Sequence, residues 1–149
     1  MPKKSATQNK RKRTVRKTAR KTARKTAPRS GRVPITQVPK PWGHEKIWAL
    51  SDRYVGKILH INAGHELSVQ YHNKKDETIY VHSGKMMFEI GPKGGPIEKR
   101  EMRPGDSVHV TPLTVHRMTA LEDCDLLEVS TPELDDVVRL EDRYGREGT

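Results

Sequence analysis

Gln70, His72 and Glu77, three side chains able to offer electron pairs to a cation, fall together in the stretch Gly64 to Gly84, GHELSVQYHNKKDETIYVHSG. Leu67, Val69 and Tyr71 alternate with Ser68, Gln70 and His72, so on a strand Gln70 and His72 project from one face. Glu77 opens the next apolar run, and His116 arrives from a later one. A divalent cation held by protein wants three or four converging donors, and imidazole with carboxylate suits zinc, iron, manganese and related ions. Gln70 is the informative member of this set. Its neutral amide oxygen is a weaker donor than imidazole, and it leaves a bound cation more Lewis-acidic.

Such convergence requires short strands on a curled sheet, and the body of the chain reads that way. Apolar runs at Lys46 to Leu50, Tyr54 to Ile61, Leu67 to His72, Thr78 to His82, Met86 to Ile90, Ile97 to Met102, Ser107 to Val110, Val115 to Leu121 and Asp125 to Val129 are predicted strands. Turn residues separate them, among them Asn62-Ala63-Gly64, Ser83-Gly84 and Arg103-Pro104-Gly105-Asp106. Strands this short and regularly spaced predict an all-β antiparallel sandwich or barrel over residues 42–149. Residues 33–41, with Pro34, Pro39 and Pro41, read as a linker without regular structure. The apolar stripe Leu134, Val137, Val138 and Leu140 predicts a short helix or ordered arm between Pro132 and Arg146.

Charge divides the chain sharply. Met1 to Arg32 holds 14 Lys or Arg and no acid, whereas Val33 to Thr149 holds 15 basic and 19 acidic residues. The +10 total is thus a basic tail joined to a mildly acidic body. Arg16-Lys17-Thr18-Ala19 repeats at Arg20 and Arg24. On a helix that period stacks like charges, and almost nothing apolar is available to bury, so residues 1–32 are expected to be disordered. The expected partner is nucleic acid, or another polyanion, bound without sequence preference; a merely solubilising tail is the other reading. Cys124 is the single cysteine, which rules out an internal disulfide. No apolar run approaches membrane-spanning length and no secretory signal is apparent, so no membrane association and a cytoplasmic location are expected.

Gly64-x5-Gln70-x-His72-x4-Glu77-x6-Gly84 resembles the first cupin motif with Gln in place of its first His, and Pro104-Gly105-Asp106 with Pro112 and His116 resembles the second. More specifically, the chain is similar to the cupin domain of type II mannose-6-phosphate isomerases, the C-terminal part of bifunctional enzymes that also carry a mannose-1-phosphate guanylyltransferase. Pro41-Trp42-Gly43, Leu67-Ser68-x-Gln70-x-His72, His116-Arg117 and the segment from Asp136 to Arg146 carry the likeness. The resemblance implies a single jelly-roll barrel with a divalent metal, zinc or else manganese or iron, on Gln70, His72, Glu77 and His116. It also implies a phosphosugar at the barrel mouth, with aldose and ketose interconverted through an enediol while the metal polarises the sugar oxygens.

The sequence departs from that pattern in three places. It has no nucleotidyltransferase half, so sugar-nucleotide synthesis is not expected of it. Pro112-Leu113-Thr114-Val115-His116 is one residue shorter than the usual turn and lacks its Gly, and Ala120 stands where Asn often follows. The basic tail has no counterpart in the family. Arg117, Arg139 and Lys57 are the candidate substrate-binding residues. Arg117 reads equally as a structural residue, and the acids around Arg139 suit structural ion pairs. For proton transfer the candidates are Glu89, His65 and Lys57. A metal-dependent phosphosugar isomerase is the leading expectation; a non-catalytic metal- and sugar-binding cupin, held near nucleic acid by its tail, is the alternative. A homodimer fits either.

Overall fold

The computed structural model describes residues 30–148. The basic repeat and all but the last three residues of the expected tail lie outside them. From Arg32 onward the chain forms one compact unit, built of strands β1 (Thr36–Lys40), β2 (Gly43–Leu50), β3 (Val55–Ile61), β4 (Val69–Tyr71), β5 (Glu77–Ser83), β6 (Met86–Pro92), β7 (Glu98–Met102), β8 (Ser107–Val110), β9 (Thr114–Ala120), β10 (Cys124–Ser130) and β11 (Val138–Glu141). One sheet runs β1-β2-β3-β10-β5-β8 and the other β11-β4-β9-β6-β7. All pairings are antiparallel. The described residues are all-β, the two-sheet arrangement expected of a jelly roll. No helix among them is long and apolar enough to cross a membrane.

Period-two alternation decides what each strand buries. Leu59 and Ile61 of β3, Ile79 and Val81 of β5 and Leu126 of β10 point inward from the larger sheet. Met86 and Phe88 of β6 and Met118 of β9 meet them from the smaller one. Trp42 is buried in this core, as expected of an anchor, whereas Trp48 is 42% exposed. The chain enters β2 through Gly43 at φ +148°, where an added Cβ would stand 2.0 Å from the His60 carbonyl oxygen. Only glycine fits so close to β3, which gives Pro41-Trp42-Gly43 a physical basis.

The structure corrects one expectation and decides another. The proline-rich stretch is not irregular throughout: Thr36–Lys40 is a strand, with Pro39 opposite His44. Because β1 is an edge strand, a missing N–H at Pro39 can face outward without breaking a ladder. Of the short helix or ordered arm expected near the C-terminus, the arm is what forms. Its residues form an arm of turns ending in β11, which pairs Val138 with Tyr71 and Arg139 with Gln70. The β-branched Val137-Val138 pair suits a strand, and β4 offered an open edge; tertiary pairing overrode the helical stripe.

Candidate metal centre

β4, β5 and β9 bring the predicted donors to one point. Gln70 lies opposite His116 in the β4–β9 ladder, His72 directly follows β4, and Glu77 opens β5. His72, Glu77 and His116 are almost fully buried, at 1%, 3% and 1% exposure, and their donor atoms lie within 4.8 Å of one another. Glu77 Oε1 stands 3.2 Å from Nε2 of His72 and 3.2 Å from Nε2 of His116.

The outer nitrogens explain the orientation. His72 Nδ1 bonds the Asp136 carbonyl and His116 Nδ1 the Thr114 carbonyl. A carbonyl only accepts, so both Nδ1 atoms carry the proton, and in neutral rings both Nε2 lone pairs face the Glu77 carboxylate. Three acceptors therefore converge in a buried space. Donors held ~2.1 Å from one ion stand ~3.0–3.4 Å apart, the separation seen here. The residues fit a divalent cation, with their Nδ1 protons fixed by backbone carbonyls as metal-bound imidazoles require. Gln70 Nε2 lies 3.5 Å from His116 Nε2, while its Oε1 accepts from Ser68 Oγ at 2.7 Å. The Ser68 hydroxyl can donate or accept, so it supports the amide in either orientation, and one of these turns the oxygen toward the cluster.

Burial alone would raise the carboxyl of Glu77. The hydrogen bonds that His116 and His72 donate when their Nε2 atoms too carry protons, and the charge of Lys75, outweigh it and hold that carboxyl well below its ordinary range. Lys75 Nζ lies 2.5 Å from Glu77 Oε2 and 2.7 Å from Glu128 Oε1. Burial would likewise lower the Lys75 ammonium, but Glu128 and Glu77 overcome it and raise its pKa. Lys57 continues this chain of charges, 3.4 Å from Glu128 and 3.7 Å from Glu45, and Lys40 ends it 3.2 Å from Glu45.

Gln70, His72 and Glu77 line a cavity of about 470 Å³, in the size range of small-molecule sites, while His116 borders the smaller cavity behind it. Five cationic side chains line it (Lys40, Lys57, Lys75, Arg139, Arg146), against the carboxylates of Glu45, Glu77, Glu128 and Asp135. Of the candidate substrate residues, Lys57 and Arg139 are thus at the cavity. Arg117 is not: it points from the other face of β9, against Glu89 and 3.7 Å from Glu66, and lines a separate cavity of about 200 Å³. Glu89 lies there too, and His65 bonds the Tyr144 hydroxyl at 3.0 Å.

Sequence reasoning missed Glu45, Lys75, Glu128 and Asp136. Glu128 shares strand parity with buried Leu126, a signal that alternation offered. Asp136 closes the site from the C-terminal arm. Besides its carbonyl bond to His72, its carboxylate accepts from the backbone N–H groups of Asn73, Lys74 and Lys75 at 3.0, 2.6 and 2.8 Å.

Residues 57–130 match the Cupin domain model, and the two sheets carry the metal-ready cluster on their inner faces. The chain belongs to the cupin superfamily. This cupin is 33% identical over 118 residues to mannose-1-phosphate guanylyltransferase ManC of Salmonella typhimurium, covering 74% of this chain and 23% of that protein. It therefore spans under a quarter of that relative's length. KdgF from Halomonas sp. superposes with a TM-score of 0.60 at 26% identity, over 70% of this chain and 92% of that one. The capsular polysaccharide assembling protein CapF of Staphylococcus aureus gives 0.62 at 18% identity, over 73% and 35%, a likeness of fold alone.

Proposed function

We propose that this cupin is a metal-dependent phosphosugar isomerase of the mannose-6-phosphate isomerase type. The observation that carries the reading is the convergence of His72, Glu77 and His116, the first two of which line a cavity richer in cations than in carboxylates. His72, Glu77, His116 and Gln70 would hold the ion, zinc by preference with manganese or iron as alternatives. Bound there, it supplies Lewis acidity toward the sugar's carbonyl and neighbouring hydroxyl oxygens. Arg139 and Arg146, on the arm side of the cavity, suit the phosphate, and Lys57 an oxygen of the chain. Proton transfer between adjacent carbons is assigned to Glu45, a cavity carboxylate held by Lys40 and Lys57. The similarity to a mannose-1-phosphate guanylyltransferase supports sugar-phosphate chemistry. A cytoplasmic location and a homodimer belong to this proposal.

One observation favours the alternative, a non-catalytic metal- and sugar-binding cupin tethered to nucleic acid. Lys57, Lys75, Glu45 and Glu128 are already paired with one another, which leaves Glu45 committed to lysines rather than poised as a base. Purified full-length protein is expected to carry about one metal per chain and to incorporate solvent deuterium into mannose 6-phosphate and fructose 6-phosphate. Glu45→Gln should keep the metal and lose roughly 10²–10⁴-fold of that exchange. Metal bound without exchange into any hexose phosphate eliminates the isomerase and leaves the binding protein.

A further inference from the structure

Glu77 divides its two carboxylate oxygens between different partners. Oε1 faces both imidazole Nε2 atoms at 3.2 Å, whereas Oε2 receives the Lys75 ammonium at 2.5 Å. Lys75 is itself 4% exposed and is held from its other side by Glu128 at 2.7 Å. Glu128 is in turn 3.4 Å from Lys57. A carboxylate beside a cation can bind through one oxygen or both, and which it does sets the coordination number and the positions left for substrate.

We propose that Lys75 is a positioning residue that occupies Oε2 of Glu77 and so keeps Glu77 a one-oxygen ligand, with Glu128 drawing part of the ammonium's charge away from the site. The proposal rests on the metal reading above and adds to it a control over coordination number. Lys75 follows Asn73 and Lys74 in the turn whose three backbone N–H groups are tied to Asp136. Its backbone is therefore fixed independently of its ammonium. Removing the ammonium would leave Glu128 with Lys57, and Glu77 with the two histidines and the metal. Neither acid is stranded, so the variant is expected to fold.

The test loads full-length protein with Co²⁺, reads the visible d–d bands, and measures Zn²⁺ affinity by chelator competition. In Lys75→Met the freed oxygen should join the ion. The Co²⁺ bands should then weaken and shift as the coordination number rises, with Zn²⁺ bound no more weakly than in the unaltered protein. Lys75→Arg, which can still reach Oε2, should restore the original spectrum. Glu128→Gln should act in the opposite sense: Lys75 then rests its full charge on Glu77, and Zn²⁺ affinity falls about tenfold, with the Co²⁺ bands retained. This third variant also decides the matter if Lys75→Met does not fold. A lysine that only fills space would lower thermal stability and leave spectrum and affinity unchanged in all three variants, and that result overturns the proposal. Absence of Co²⁺ and Zn²⁺ binding by the unaltered protein overturns the metal reading itself.

Discussion

Leu113 is a non-glycine residue at φ +66°, in the turn that leads into the His116 strand. Its N–H donates to the carbonyl of His72 at 2.7 Å, so the turn braces one ligand while feeding the strand that carries another. Left-handed backbone costs an L-residue about 1–2 kcal/mol, and at 53% exposure the side chain recovers little by burial. Leu113→Gly should therefore raise stability by about 0.5–1 kcal/mol after glycine's own entropic cost, read as a higher denaturant midpoint with metal content unchanged. The shorter second motif without its usual glycine thus keeps the ligand in place and carries backbone strain. The clustering of His72, Glu77 and His116 was legible because donors stood out in apolar runs of period two. Lys75 was not, since it lies in a turn where no periodicity assigns a face, and its role depends on Glu128, far away in sequence.

At the scale of elements, the C-terminal arm decides how the ligand turn is held. Asp136 braces that turn, and Asp142 braces the end of the arm itself. Burial opposes ionisation at Asp136, but the backbone N–H groups of Lys75, Lys74 and Asn73 more than offset it and drive its pKa well below 3.8. At Asp142 the Arg146 guanidinium, bonded at 2.9 and 2.5 Å, depresses the pKa against the cost of burial. With folded values below the unfolded ones, the unfolded chain takes up protons first as the pH drops. The stability these contacts supply is complete above the unfolded carboxyl range and drains away as pH falls through the folded values. Asp136→Asn should cost about 1 kcal/mol at pH 7, as loss of a capping carboxylate does. Its deficit should shrink toward pH 3 in denaturation series at each pH. The arm also shows where pattern reading ends. Nine strands could be read from alternation, but β11 could not, because a stripe at Leu134, Val137, Val138 and Leu140 suits a helix until β4 is known to need a neighbour. β1 was hidden by its prolines, which only an edge position tolerates.

At the scale of the whole molecule, two halves of opposite character share one chain. The body is mildly acidic and encloses the cavity, and all of the net positive charge resides in residues 1–32. Duplex DNA should bind the full-length protein with an affinity that falls steeply with salt, about −0.9 in log–log slope for each phosphate neutralised. Deleting residues 1–32 should abolish that binding while leaving metal content intact; retention of DNA binding after the deletion would refute the assignment. Sequence made this division plain through composition alone, whereas the charge ladder from Lys40 to Glu77 emerged only from the fold, since its members sit on five strands and a turn.

The bond from His72 to the Asp136 carbonyl bears on how the protein is born. All four donors have been synthesised by residue 116, yet the group that aims His72 comes 20 residues later, on an arm that docks beside β4. Synthesis runs from the N-terminus at about 5–20 residues per second, so for about 1–4 seconds a nascent chain holds every ligand without the oriented imidazole. On the proposed metal reading, the ion is expected to load only once the arm has closed on the barrel.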